Sequence, residues 1–360
     1  MRIATLSNAS VVHTVRWVEH LRARGHEVRV WSLEPGPESL GVHRLPEPPL
    51  PGFVRYPLAT LPLLCELRAF APDVVDAHYV PNYGVIGALS GFRPLSVAAW
   101  GSDLLVAGPR DVLQRARARF VLRRADLVIA DSGNLAAAAL ALGAPRRTLR
   151  AIPWGVDRER FAPAPERERG LLLSTRMHEH VYDIPTLLRG VAPVMARRPE
   201  TRLVIAGDGS LLDAHRALAA ELLPAGRVEC TGRITPATLA GLLSRAEVYL
   251  SASLSDSTSL SLLEAMAAGA IPVVSDIEGN REWVADGDGA RLFACGDAAG
   301  VERALEAALG EPAWAAAARA RNAAVIAERG DWHANFARIE RAFEALAAGR
   351  PLPPDPGAFA

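Results

Sequence analysis

Lysine is absent from this 360-residue chain, so arginine supplies every fixed side-chain cation. Any phosphate held by side-chain charge must therefore meet a planar guanidinium fork rather than a compact ammonium. Cysteine is scarce. Cys65, Cys230 and Cys295 lie far apart with no CxxC spacing, which argues against a disulfide framework or a thiolate zinc site and fits a reducing compartment. No apolar run reaches the roughly 18 residues of a membrane span. The N-terminus, Met1-Arg2-Ile3-Ala4-Thr5-Leu6, enters a strand pattern directly without a leader layout, so the expected location is cytoplasmic, with at most a peripheral contact at the inner membrane face. Net charge is also lacking. Forty basic residues balance forty acidic ones, and nucleic acid is not an expected partner. No GxGxxG follows the first apolar run, where the loop reads Ser7-Asn8-Ala9-Ser10, and this disfavours a dehydrogenase.

What is present is ordinary globular material, 50% hydrophobic and 22% charged, enough for two domains of roughly 150 residues. Ile3 to Leu6 reads as a strand, Val11 to Arg24 as a helix ended by Gly25, and Val28 to Trp31 as the next strand. Further strands are expected at Val74–Ala77, Leu95–Ala99 and Leu127–Ala130. Proline-rich sequence from Pro35 to Pro62 reads as irregular, and Phe161 to Arg169 as a linker. The alternation restarts at Leu171–Leu173, with a helix near Pro185 to Arg197 and strands at Leu203–Ala206, Arg227–Cys230, Val248–Leu250 and Ile271–Val274. The expected fold class is α/β, two Rossmann-like doubly wound parallel-sheet domains with a ligand cleft between them. The expected boundaries are 1–162, 163–330, a helix at 331–350 returning to the first domain, and a frayed tail at 351–360.

The most informative stretch runs from Asp256 through Ser257-Thr258-Ser259-Leu260 to Glu264 and Gly269. Ser257 or Thr258 can cap a helix that Gly269 ends. The free amides of its first turn would suit a diphosphate. Glu264, about 1.5 turns in, could accept hydrogen bonds from vicinal ribose hydroxyls, and Asp256 could touch a transferred sugar. From spacing alone, the two acids read first as a plain loop acid and a solvated or salt-bridged helix residue, since two acids at this separation are common.

This segment resembles the acidic-pair signature of family 4 retaining glycosyltransferases with the GT-B fold. Leu263-Glu264-Ala265-Met266-Ala267-Ala268-Gly269 and Ile271-Pro272-Val273-Val274-Ser275 extend the likeness. So do Ile152-Pro153-Trp154-Gly155-Val156-Asp157, Ala206-Gly207-Asp208-Gly209, Asp126 to Ser132, and Gly25-His26-Glu27-Val28. The resemblance implies a retaining glycosyltransferase that moves a sugar from a nucleotide-diphosphate-sugar to a glycan, lipid-linked or small-molecule acceptor, without a metal or other cofactor. It implies that Glu264 binds ribose, that Asp256 contacts the donor sugar, and that the Thr258, Ser259 and Leu260 backbone contacts diphosphate or sugar. It further implies that Arg176 is the diphosphate arginine, that Arg233 lies beside the base, and that Gly207 and Gly209 line the donor loop.

Departures are visible. The family's usual Glu-Gly-Phe-Gly is here Asp256-Ser257-Thr258-Ser259, and Tyr182 stands where a lysine commonly follows the diphosphate arginine. Arg281 is a candidate to assist, or a structural ion pair. Trp100-Gly101-Ser102-Asp103 replaces a usual His-Gly, which makes His13 and Asp103 the first-domain candidates at a reacting centre, with His78 and Tyr79 at another strand end. The basic stretch Arg110 to Arg124 reads first as a solvated helix face, and otherwise as a weak peripheral membrane contact. A GT-B sugar-nucleotide epimerase and a non-catalytic sugar-nucleotide-binding protein remain the alternatives.

Overall fold

Apolar runs separated by helix-length segments satisfy their backbone groups as parallel strands with crossover helices. The computed structural model, which describes residues 1–47, 49–107 and 112–354, has that form throughout. The chain divides into two compact units, Met1–Ile152 with Phe336–Ala360, and Pro153–Asn335.

Among the described residues, the first unit holds seven strands: β1 Arg2–Leu6, β2 Glu27–Ser32, β3 His43–Arg44, β4 Val74–His78, β5 Leu95–Ala98, β6 Leu127–Ala130 and β7 Leu149–Ala151. They lie in the order β3-β2-β1-β4-β5-β6-β7, every pairing parallel. The chain leaves β1 toward one edge and returns to β4 beside it, so the β1/β4 junction is the topological switch point. One sheet face packs under the helices Gly52–Phe70, Gly84–Ser90 and Val112–Arg124. On the other face, Trp17 from the helix Val12–Ala23 meets Phe336 of the last helix at 4.8 Å between ring centroids. Buried Glu340 of that helix is bonded by Arg24 at 3.3 Å and His26 at 3.1 Å.

The helix Gly52–Phe70 corrects the irregular reading of Pro35–Pro62, since Pro57 and Pro62 lie inside it. Each interior proline costs about 3 kcal/mol. Tyr56, Ala59, Leu63, Leu67 and Phe70 are all buried on one stripe, and at about 1.5–3 kcal/mol per large side chain their burial outweighs that cost. Pro48, Arg110 and Asp111 lie outside the described residues, as do positions 355–360 of the expected tail.

Seven strands are likewise described in the second unit: β8 Leu171–Ser174, β9 Arg202–Ile205, β10 Val228–Cys230, β11 Val248–Ser251, β12 Ile271–Ser275, β13 Ala285–Asp286 and β14 Gly289–Phe293. Their order is β10-β9-β8-β11-β12-β14-β13, again all parallel, with the switch point at β8/β11. Hydrophobic clusters cover both faces of this sheet. Phe161 is buried in one of them, and Val156 exchanges backbone hydrogen bonds with Gly330 and Trp332. The segment after Ile152 therefore packs with the second unit, ahead of the proline-rich linker read from sequence. No helix among the described residues is long and apolar enough to cross a membrane.

Candidate functional site

Two adjacent strands at the second unit's switch point end in polar loops. After β8 comes Ser174-Thr175-Arg176, and after β11 comes Ser251-Ala252-Ser253, leading to Asp256. The pairing Tyr249↔Leu173 sets these strand ends side by side. Arg176 is buried, and its Nε donates to Ser251 Oγ at 3.0 Å. Its Nη2 donates to Asp256 Oδ2 at 2.5 Å and to Ser259 Oγ at 2.6 Å. The ring of Tyr182 lies 5.1 Å from the guanidinium carbon. Burial by itself would lower the guanidinium pKa, but Tyr249, Asp256 and Tyr182 more than offset it, so the pKa is raised. Arg176 is a permanent cation with a clamped orientation.

The helix Leu260–Ala268 begins at this clamp. Its cap is Ser259, whose hydroxyl accepts from the Leu262 amide at 3.2 Å; the cap thus lies one residue beyond Thr258 and two beyond Ser257, the positions expected from sequence. The helix ends at Gly269 with φ 76°, a left-handed conformation that glycine adopts without strain. No acid lies in the first turn, so the positive end of the helix dipole and the Arg176 cation reinforce each other at one spot. Glu264 is half-buried on the second turn. Tyr249 supports the first turn through a 2.9 Å bond to Ser261.

The scaffold behind the clamp is backbone packed on backbone. A Cβ on Gly279 would lie 1.9 Å from the Ser257 carbonyl oxygen and 2.7 Å from that of Asp256, so only glycine lets the following segment back this loop. A Cβ on Gly207 would meet the Arg176 carbonyl at 2.3 Å, and one on Gly209 the His178 carbonyl at 2.5 Å. The amide of His178 donates to the Asp208 carbonyl, and that of Leu211 to the His178 carbonyl. Gly207 and Gly209 therefore hold the Arg176–His178 segment in place. Beneath it, His178 Nδ1 and His215 Nδ1 are 2.9 Å apart. Burial, His215 and Arg216 lower the His178 pKa to about 4, so the pair is neutral at pH 7.

Arg176, Asp256 and Ser259 are thus in direct contact, with Thr258 and Leu260 adjacent in the chain. Arg233 is exposed on the loop after β10. Arg281 is an exposed ion pair with Asp276, at 2.5 and 2.7 Å. Sequence reasoning missed Ser251, Tyr249 and Gly279. The Ser-x-Ser at a strand end was a weak signal for the first, and Gly279 has none short of tertiary structure.

The first-unit candidates occupy that unit's own strand ends. Asp103 is fully buried, and its carboxylate accepts the amides of Val80 at 3.0 Å, Trp100 at 3.1 Å and Leu104 at 3.1 Å. Burial raises its pKa to about 6 against those bonds. Its carboxylate thus ties two loops together. His13 is half-buried, edge-on to Trp100 at 6.0 Å, and burial followed by Arg16 lowers its pKa to about 4. His78 Nε2 lies 2.9 Å from Asp76 Oδ2, both buried. Tyr79 sits at φ 66°. Among the described residues, no group of three or more His, Cys, Asp or Glu side chains is placed to hold a metal ion.

Two all-parallel doubly wound units, one with an arginine and a helix N-terminus converging at its switch point, define a GT-B protein. The model of Glycosyl transferases group 1 matches residues 156–325, and that of Glycosyltransferase Family 4 matches residues 10–160. Between them the two glycosyltransferase models cover residues 10–325, the second unit matching the group 1 domain and the first the Family 4 domain. The chain is 36% identical over 202 residues to the phosphatidyl-myo-inositol mannosyltransferase of Mycolicibacterium smegmatis, covering 54% of this chain and 51% of that one. It is 29% identical over 326 residues to the GDP-mannose-dependent alpha-mannosyltransferase of the same organism, 82% of each. The match thus spans about half the length of the phosphatidyl-myo-inositol mannosyltransferases. Anabaena HepE in complex with UDP-glucose superposes with a TM-score of 0.82 at 17% identity, over 96% of this chain and 100% of that one. Sucrose-phosphate synthase from Thermosynechococcus elongatus gives 0.83 at 19%, over 97% and 100%.

Proposed function

We propose that this protein is a retaining glycosyltransferase that takes a hexosyl group, mannosyl foremost, from a nucleoside-diphosphate donor bound by its second unit. The observation that carries the reading is the buried Arg176, fixed by Ser251, Asp256 and Ser259 at the start of the helix Leu260–Ala268. A cation and a helix N-terminus at one point form an anion site. Charge that develops on a departing diphosphate would be stabilised there without reorganisation of the protein. Glu264, further along the same helix, takes the ribose hydroxyls, and Asp256 the transferred sugar. No metal is required, because the guanidinium and the helix amides supply the positive charge. The preference for a mannosyl donor is supported by the relatives named as mannosyltransferases. The names of several relatives also favour a lipid acceptor.

The test is donor binding and transfer by the purified chain in EDTA. GDP-mannose, and then UDP-, ADP- and dTDP-sugars, are screened for a raised melting temperature, since a ligand bound only by the native state stabilises it. Transfer to phosphatidylinositol or to a glycan acceptor is followed by release of the nucleoside diphosphate, and the anomeric configuration of the product is read by NMR. Arg176→Ala is expected to abolish both the thermal shift and transfer. A normal turnover in that variant would remove Arg176 from the leaving-group role, and an epimerised sugar nucleotide without transfer would replace the reading.

A further inference from the structure

Asp76 and His78 are buried on β4, the strand that lies between β1 and β5. Side chains alternate between the two faces along a strand. Ala4, Leu6, Val75, Ala77, Leu95 and Val97 belong to the cluster under the three helices. Asp76 and His78 therefore point to the opposite face, where Trp17 lies 4.7 Å from the His78 ring. The strand register continues this polar row sideways. Thr5 of β1 and Ser96 of β5 are the two register partners of Asp76, on strands about 4.8 Å to either side. A carboxylate thus stands between two hydroxyls on one face of the sheet, and all three residues are 0% exposed.

This carboxylate is bonded on one side. Asp76 Oδ2 lies 2.9 Å from His78 Nε2, while Asp76 Oδ1, Thr5 Oγ1 and Ser96 Oγ have no hydrogen-bond partner among the described residues. A buried polar atom left unbonded forfeits its whole desolvation energy, and a carboxylate oxygen forfeits more than a hydroxyl. Buried polar groups in folded proteins are accordingly almost always paired. Here three orphan atoms fall at one place, one from each of three neighbouring strands. The backbone cannot serve them, because β4 is paired on both sides and its amides are engaged in the ladder.

We infer that Thr5, Asp76 and Ser96 hold one ordered water molecule inside the first unit. A buried water makes about three hydrogen bonds, which matches the three orphan atoms. It donates to Asp76 Oδ1 and to one hydroxyl, and accepts from the other. A hard cation fits less well, because it takes roughly six or more oxygen ligands where three are offered. The water completes the carboxylate that holds His78, and the His78 ring touches two tryptophans, Trp17 at 4.7 Å and Trp100 at 5.8 Å. Trp17 carries Phe336 of the last helix, and Trp100 opens the loop after β5. The water therefore lies under the joint at which that loop and the last helix meet the sheet. The site is independent of the donor chemistry proposed above.

The experiment combines a crystal structure of the full chain, at a resolution that shows waters, with melting curves of Thr5→Val, Ser96→Ala and the double variant. Density is expected about 2.5–3.0 Å from each of the three oxygens. No density there, or a ligand ringed by six oxygens, would overturn the inference. Valine copies the shape of threonine, so Thr5→Val removes the hydroxyl alone. Its melting temperature should fall by roughly 2–4 °C, the loss of one hydrogen bond in a unit of this size. A hydroxyl without a partner gives the opposite result, an unchanged or raised melting temperature. Thr5 and Ser96 stand two strands apart, about 10 Å, a separation at which unlinked sites add. A shared water couples them, so the double variant should depart from the sum of the single ones, and strict additivity would assign the hydroxyls to separate partners. Hydrogen exchange should quicken in the double variant around Trp17 and Trp100 and stay unchanged in the second unit. Unaltered exchange at both tryptophans would overturn the link through His78.

Discussion

Asp256 both clamps Arg176 and competes for it, so Asp256→Asn should pull donor affinity and transfer in opposite directions. In the clamp the carboxylate accepts from Nη2 at 2.5 Å, with the pair 9% and 21% exposed in its side chains. An incoming diphosphate must share or displace that contact. Removing one partner of a buried ion pair costs about 3–5 kcal/mol. Partial exposure of Asp256 and the retained Ser251 and Ser259 bonds bring the expected loss to about 1–3 kcal/mol. In a unit of this size that lowers the melting temperature by roughly 2–12 °C. Affinity moves the other way. Two unit charges at 4 Å interact by about 4 kcal/mol at the effective dielectric of a protein surface. Relief of about 1–3 kcal/mol of carboxylate–phosphate repulsion therefore gives roughly 5- to 150-fold tighter binding of the nucleoside diphosphate. Transfer should nevertheless fall, because the group assigned to the sugar is gone. Isothermal titration calorimetry with GDP and UDP, beside a transfer assay, reads both. A variant that bound the diphosphate more weakly than wild type would refute the competition, since lost stability cannot mimic a gain in affinity. Absence of binding by either protein would instead strike at the donor site itself.

Gly279→Ala forces a methyl onto the Ser257 and Asp256 carbonyls. Overpacking of this kind costs about 1–3 kcal/mol, and donor affinity should drop with it; wild-type binding and melting would show that the loop has slack. Glu264→Gln should weaken donor binding roughly ten-fold, as expected for loss of hydrogen bonds to a charged acceptor, and calorimetry showing less than about a two-fold change would end its ribose role. For Asp103 the folded pKa is raised from 3.8 to about 6. The folded state therefore holds a proton that the unfolded state has released between those values, and Asp103's contribution to stability falls as pH rises through that window. The ionised form at pH 7 costs about 3 kcal/mol relative to the protonated one. His13 and His178, both lowered from 6.5 to about 4, act in the opposite sense and favour folding as pH rises from about 4 to 6.5. Relative to wild type, Asp103→Asn should therefore gain stability as pH rises from about 4 to 6, as read by denaturant midpoints; identical pH profiles would refute the assignment.

Most strands were legible because a buried parallel strand is a short continuous apolar run, as at Leu127–Ala130 and Ile271–Ser275. The short edge strands His43–Arg44 and Ala285–Asp286 were not, because two residues carry no periodicity. The helix Gly52–Phe70 was hidden by its prolines, whose cost is local and visible while the burial that offsets it is not. In the site, Arg176, Asp256 and Glu264 could be picked out by resemblance. Nothing in their spacing said that Arg176 and Asp256 would touch across 80 positions.

The sequence by itself determined the α/β class, the two-part organisation and the residue types available to an anion site in a chain without lysine. Each of these follows from local periodicity or composition. Only the tertiary structure decided that Asp256 pairs with Arg176 and that Asp103 ties loops together. Those facts depend on which strand ends and helix faces become neighbours. That is settled by strand order and packing, which join residues far apart in the chain and leave no periodic trace along it.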